Sequence, residues 1–445
     1  MIASARIPLV AAPAGRELAA WLAPVTAEHF VHEYWGRKPL FVKGFREKYA
    51  GFFDGEAFSR ALTAPGPLPD DFLRASFDRK TEAGTSARPA LPGDLRSTAF
   101  RATVDQAGSL FDAGATLCVS QIETRVPSLA PFVAAIKRQL GFTGKASFNA
   151  YLSPPGSGFN WHFDGRIAST LQIEGTKVWR FAHEAAIPWP RGNGSGRADG
   201  TAQYTDPQVA VQAWERLAPF DETATSEVLL EPGDLLILPT GVWHEACGGT
   251  GGSLALNLSF TPISHTLLVR SLLDTLLTSE AGWRSPAPIV AGVAPGDVDA
   301  AGVAALSAEL ARAAETLRGL SGDSAAVVRL WQSFVQNANP GMAAPPAPAL
   351  PAAPVAPDQQ LRVRADGNVH AMPAERGTQL FVMAGNRSIE LSGEAVPFVR
   401  RLLAEGTFTA GDCLAWSADG APFAWSDVET ILGQLKREGL IEECP

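Results

Sequence analysis

Two short stretches, each punctuated by glycine and proline, carry histidines from positions far apart in the chain. No other feature restricts the fold as much. In the first, GSGFNWHFDGRIASTLQIEGTK, Gly156 stands six residues before His162 and Gly175 eleven after Asp164. His162 and Asp164 are one residue apart, so on an extended strand their imidazole and carboxylate share a face. In the second, Gly233 is followed by five residues and Pro239, then x-Gly241-x-x-His244. Such glycines and prolines set tight turns, and the strands between the turns can deliver their ligands into one barrel mouth.

Two imidazoles and one carboxylate, with no thiolate, suit Fe(II), Mn(II) or Co(II). His162, Asp164 and His244 are the ligand set of the facial triad, which holds a non-haem iron and leaves positions open for cosubstrate and oxygen. Lys177 lies thirteen residues after Asp164, on a strand expected over Thr176–Phe181, and shares a face there with Trp179 and Phe181. A buried lysine needs an anion. The distal carboxylate of 2-oxoglutarate would supply one while its oxoacid end chelates the metal. The other reading, a lysine snorkelling from a turn edge to water, fits poorly between two large aromatic neighbours.

The surroundings read as short strands. ASFNAYLS (146–153) alternates, TLCVSQIE begins a strand at Thr116, LLIL (235–238) is a buried run, and SLALNLSFTP follows His244. A turn at Glu174-Gly175 is expected to separate two strands. Many short strands with regular turns indicate a β-sandwich or jelly roll, not a parallel α/β sheet. PSLAPFVAAIKRQLG is amphipathic at helical spacing. Near the N-terminus, Leu18, Trp21 and Leu22 mark one helix, and Thr26 is a candidate N-cap for a second that stops near Gly36. Residues 50–110 carry few signals, with loops expected around Pro65–Pro69 and Pro89–Gly93. Residues 183–225, rich in Pro, Gly and Arg, are either a loop bordering the site or a surface insertion.

Beyond Pro262 the pattern becomes helical. Leu268, Leu272 and Leu276, and then Leu306, Leu310 and Leu317, form apolar stripes that suit either packing on the sheet or a dimer interface. Asp323 is a candidate N-cap for AAVVRLWQSFV. Residues 343–358 form a Pro/Ala linker. The remainder, 359–445, alternates strand and helix and suggests a small winged-helix domain. With 445 residues, several domains are expected: 1–262 catalytic, 263–342 helical and dimerising, and 359–445 winged-helix-like.

The net charge of -9 disfavours sequence-independent nucleic-acid binding, and an acidic surface favours a basic partner. From Asp358 onward, thirteen acids against eight bases argue against a duplex reader. Four cysteines with no CxxC pair indicate neither a zinc site nor a disulfide framework. With no run long enough to span a bilayer, a cytoplasmic location and no membrane partner are expected.

The second glycine–proline stretch matches the cupin signature G-x5-P-x-G-x-x-H, and the first matches its companion with Asp in place of the second His. Over most of its length the sequence resembles the JmjC/cupin-type ribosomal-protein hydroxylases. The resemblance is carried by YWGRKPLF, FDAGATLCVSQIE, NAYLSPPGSGFNWHFD and LQIEGTKVWRF. It implies an α+β protein with a double-stranded β-helix catalytic domain, a dimerisation region and a terminal winged helix. It also implies iron at His162, Asp164 and His244, and Lys177 on the 2-oxoglutarate C5 carboxylate. Asn149 and Tyr151 would line the pocket, and Asn257 or Ser259 would lie near the metal. The implied reaction hydroxylates a β-carbon of Arg or His in a ribosomal protein.

The sequence departs from that pattern in three places. Asn149 to His162 is one residue short, GRIAS replaces an acidic-aromatic run at 165–169, and residues 183–225 are long. All three border the substrate side. Two other readings stand beside protein hydroxylation: the same chemistry on a precursor peptide held by the winged-helix domain, and a ligand-sensing cupin coupled to a DNA reader.

Overall fold

The computed structural model describes residues 7–13, 15–66, 72–77, 99–196, 202–204, 222–279, 281–286, 300–324, 326–327, 330–331, 354–363, 370–373, 379–384, 387–392, 395–416, 422–438 and 440–444. Most of the expected 343–358 linker, much of the 183–225 segment and most of the loops expected near 65–69 and 89–93 lie outside the described residues. The protein divides into two compact units, Met1–Pro262 and Ile263–Pro445.

The first unit is built on antiparallel pairing of twelve strands: β1 (Leu40–Val42), β2 (Leu73–Ser76), β3 (Ala99–Arg101), β4 (Thr116–Ser120), β5 (Lys145–Ser153), β6 (Gly158–Phe163), β7 (Ile167–Ala185), β8 (Gly194–Gly196), β9 (Ala202–Tyr204), β10 (Thr225–Leu230), β11 (Leu235–Leu238) and β12 (Val242–Thr261). Their main path runs β1-β11-β7-β12-β5-β4-β2-β3. The two long strands each serve two groups of neighbours. Residues 168–171 of β7 pair with β11, whereas residues 177–182 pair with β10. Likewise the end of β12 pairs with β5, and its beginning with β6.

Here the structure corrects one expectation. Glu174-Gly175 does not separate two strands; β7 is continuous and bends there. Gly175 has φ +64, and a Cβ on it would lie 2.2 Å from the Gly252 carbonyl oxygen. Only glycine tolerates both conditions. Gly175→Ala is therefore expected to destabilise the unit by about 2 kcal/mol or more, read as a lowered Tm in thermal denaturation.

Strand alternation explains how one sheet face becomes core and the other becomes site. Phe148, Ala150, Leu254, Leu256, Leu258 and Phe260 pack against Trp21, Leu22, Phe30, Phe132 and Ile136. These partners come from the helix Glu17–Leu22, the turns after Thr26 and the helix Ala130–Leu140. Thr26 caps as expected, accepting a hydrogen bond from the His29 amide, and Gly141 ends the helix Ala130–Leu140 in the left-handed region. The intervening residues Asn149, Tyr151, Ser153, Thr170, Gln172, Asn257 and Ser259 turn to the opposite face. All of them but the half-buried Tyr151 are buried.

The second unit contains the helices His265–Ser279 and Ala300–Gly322, with Leu306 and Leu310 exposed on the latter. The Asp323 side chain accepts from the Ala326 amide, as an N-cap does. Further on, a three-stranded sheet of β13 (Gln360–Val363), β17 (Thr407–Thr409) and β18 (Ile441–Glu443) shares a core with the helices Ala395–Glu405 and Trp425–Arg437. A separate antiparallel sheet joins β14 (His370–Pro373), β15 (Gln379–Ala384) and β16 (Arg387–Ser392). Among the described residues no helix is long and apolar enough to cross a membrane.

Candidate metal centre and cosubstrate pocket

β6 and the start of β12 pair so that His162 and His244 face each other in register. Asp164 follows immediately after β6. Its carbonyl accepts a 2.8 Å hydrogen bond from the Gly241 amide, so the Pro239-Thr240-Gly241 turn is tied directly to the carboxylate's backbone. One ligand atom from each of His162, Asp164 and His244 lies within 4.8 Å of the others. The three side chains predicted from spacing are thus brought together.

The tautomers suit metal binding. His162 Nδ1 is 2.7 Å from the Asn160 carbonyl oxygen and His244 Nδ1 is 2.8 Å from that of Val242. A carbonyl only accepts, so each Nδ1 carries the proton and each Nε2 keeps its lone pair for an ion. Burial, followed by the charge of His162, lowers the His244 pKa to about 3, which keeps that ring neutral. Burial opposes charge on Asp164. Arg166, His162, His244 and Arg74 together outweigh that effect and hold its carboxyl below the usual range. A neutral His244 ring and an ionised Asp164 carboxylate are the protonation states a divalent ion requires.

Lys177 is 2% exposed, and burial lowers its pKa to about 8. Its Nζ donates to Ser153 Oγ at 3.3 Å and lies within about 6 Å of the Tyr151, Phe159 and Trp179 rings. Trp179 in turn stacks on His244, with ring centroids 5.7 Å apart. Among the described residues the amine has one hydroxyl as its hydrogen-bond partner and three aromatic rings around it, surroundings that a small anion would complement.

Asn149, Asn257 and Ser259 form a buried ladder along the polar face. Asn149 donates to Ser259 Oγ at 3.2 Å, Ser259 donates to Asn257 Oδ1 at 2.8 Å, and Asn257 donates to Thr170 Oγ1 at 3.2 Å. Tyr151 lies between that ladder and Lys177, and burial pushes its hydroxyl pKa far up. Three residues of the site escape the sequence reading. Ser153 is visible in the alternation of ASFNAYLS. Arg166 stands two places beyond Asp164. Arg74 has no local signal.

Residues 130–267 match the JmjC domain family. Uncharacterized protein YxbC of Bacillus subtilis is 25% identical over 268 residues, covering 59% of this chain and 76% of that one. Ribosomal oxygenase 1 of Rattus norvegicus is 30% identical over 257 residues, covering 56% of this chain but 38% of its own length. Among solved structures, the Escherichia coli ribosomal oxygenase YcfD, in complex with cobalt and 2-oxoglutarate, is similar with a TM-score of 0.52. That match has 16% identity and covers 95% of this chain and 99% of the other, which is a likeness of fold. On the fold, the clustered ligands and these matches together, residues 130–267 match the JmjC domain family and the chain is similar to the ribosomal oxygenases.

Proposed function

We propose that the protein is an Fe(II)- and 2-oxoglutarate-dependent oxygenase that hydroxylates a side chain of a protein or peptide. The observation that carries this reading is the convergence of His162, Asp164 and His244 beside the buried amine of Lys177. When bound, ferrous iron supplies the redox chemistry by which 2-oxoglutarate, O2 and a C–H bond become succinate, CO2 and an alcohol. The protein's own groups do the rest. The carbonyls of Asn160 and Val242 fix both imidazole tautomers. Lys177, with Ser153, would receive the distal carboxylate of 2-oxoglutarate, so that its oxoacid end is oriented to the ion. Trp179, Phe159 and Tyr151 wall that pocket against water.

The names of the relatives support a ribosomal protein as substrate, and the resemblance implies an Arg or His target. The same chemistry on a precursor peptide is the second reading. For it, the C-terminal sheet β13, β17, β18 with its two helices would be a winged-helix module that binds the peptide. The DNA-reader alternative is weakened by the acid excess of that region.

Anaerobic reconstitution with Fe(II), followed by exposure to air and 2-oxoglutarate, is expected to yield succinate. Its absence with every divalent ion supplied would end the proposal. Mass spectrometry of ribosomal proteins from a deletion strain against its parent should reveal a missing +16 Da shift if the substrate is ribosomal. The exposed Leu306 and Leu310 support a homodimer. Light scattering after size exclusion is expected to give twice the monomer mass, and a clean monomer would remove that expectation.

A further inference from the structure

One guanidinium stands beside the metal centre with its N–H groups unengaged among the described residues. Arg166 lies in the turn between β6 and β7, two residues beyond Asp164, with its side chain 29% exposed. Its Nε pairs with Asp164 Oδ2 at 4.0 Å, beyond hydrogen-bond range, and is buried with no acceptor. Its side chain makes no hydrogen bond to any described residue. The turn that carries it is nevertheless held on two sides. The Asp164 carbonyl accepts from the Gly241 amide at 2.8 Å, and the Gly165 amide donates to Asn193 Oδ1 at 2.9 Å.

Position limits what those donors can serve. His244 Nε2 is also 4.0 Å from Asp164 Oδ2, so Arg166 and a metal ligand flank one carboxylate oxygen. Arg166 acts electrostatically on Asp164 and, more weakly, on the Tyr151 hydroxyl. The Tyr151 ring is in turn 5.8 Å from Lys177 Nζ. The pocket therefore runs from Lys177 past Tyr151 to Arg166 and the triad, with a cation at each end.

2-Oxoglutarate carries a carboxylate at each end. Lys177 answers the distal one. At the other end, chelation through the keto oxygen and one C1 carboxylate oxygen leaves the second carboxylate oxygen without a metal bond. An anionic oxygen in a water-poor site needs a donor, and a guanidinium supplies a charge-assisted one. Once an ion is bound, Asp164 turns its charge to that ion, and its contact with Arg166 is too long to occupy the N–H groups. An Arg side chain as target is the poorer match, because both partners would be donors with no acceptor between them.

We propose that Arg166 binds the C1 carboxylate of 2-oxoglutarate, so that the cosubstrate is held by Lys177 at its distal end and by Arg166 at its metal end. This deepens the oxygenase reading and rests on it.

The full-length protein is loaded with Mn(II) and titrated calorimetrically with 2-oxoglutarate and with 2-oxopentanoate. The second ligand keeps the oxoacid end and has a methyl group in place of the distal carboxylate. Arg166→Gln is expected to weaken both ligands about tenfold. Lys177→Ala is expected to weaken 2-oxoglutarate and leave 2-oxopentanoate unchanged. Mn(II) affinity in Arg166→Gln should stay close to the wild-type value. A loss of Mn(II) affinity of about tenfold or more, as a prop for Asp164 would give, overturns the proposal. So does unchanged 2-oxoglutarate binding in Arg166→Gln, or a loss confined to 2-oxoglutarate, which would place the guanidinium at the distal end.

A second readout is independent of affinity. The anaerobic Fe(II) protein saturated with 2-oxoglutarate should show a metal-to-ligand charge-transfer band, whose energy follows the donor strength of the chelating carboxylate. That band is expected to shift in Arg166→Gln and to hold its position in Lys177→Ala. An unshifted band in Arg166→Gln overturns the proposal, and the band alone decides if 2-oxopentanoate binds too weakly to titrate. Thermal melts accompany the variants, and Arg166→Met replaces Arg166→Gln if the latter is unfolded. Failure of the wild-type protein to bind Mn(II) and 2-oxoglutarate removes the oxygenase reading first, whereas unchanged 2-oxoglutarate affinity in Arg166→Gln leaves that reading intact.

Discussion

Asp164→Ala is expected to weaken Fe(II) or Mn(II) binding by at least about 100-fold and to reduce 2-oxoglutarate turnover to background. The donors from His162, Asp164 and His244 lie within 4.8 Å of one another, and only Asp164 brings negative charge. Removing it leaves two imidazoles and no anion in a site bordered by Arg74 and Arg166, which repel a dication. His162→Ala and His244→Ala should reach the same endpoint by losing a lone pair. The folded state should survive in Asp164→Ala, because the backbone bond from Gly241 does not depend on the side chain. Isothermal titration with Mn(II), alongside circular dichroism, checks both halves. Wild-type metal affinity in Asp164→Ala would remove the site assignment.

Lys177→Ala is expected to raise the 2-oxoglutarate requirement roughly 10- to 100-fold, the value of a charge-assisted bond in a buried pocket. Metal binding should change far less, because Lys177 touches Ser153 and aromatic rings and makes no hydrogen bond to a ligand among the described residues. A pH dependence follows from the same group. Burial lowers the Lys177 pKa to about 8, so the amine is charged below that value and loses its proton as pH rises through it. Affinity for the 2-oxoglutarate dianion should therefore fall on the alkaline side of pH 8. The bound carboxylate favours the protonated amine and moves the transition upward in the complex. Titration of 2-oxoglutarate into the Mn(II) protein across this range measures it. Dependence unchanged by Lys177→Ala would show that the amine serves another purpose.

The metal triad and the lysine are legible in the sequence because their information is local. HxD fixes a shared strand face, G-x5-P-x-G-x-x-H fixes a turn and a ligand, and the alternation in ASFNAYLS and SLALNLSF separates core from site. What escapes depends on pairings between distant segments. Glu174-Gly175 has turn chemistry and reads as a break between strands, yet Gly175 bends a continuous strand against Gly252, some eighty residues away in sequence. The helix Gly55–Thr63, capped by Asp54, and strand β2 lie in a region with weak periodicity. Arg74 therefore gives no sign that it stands in a row with Cys118 and Tyr151. Arg166 is in plain view beside the ligands, but its burial and its unsatisfied Nε exist only in the folded site.

The amide of Gly241 held on the carbonyl of Asp164 has a consequence for assembly. Segments almost eighty residues apart are fastened by peptide groups alone, so the ion is a late guest and not a scaffold. Chelation should therefore empty the centre without unravelling the protein, and iron restored to the stripped molecule should find its socket already built.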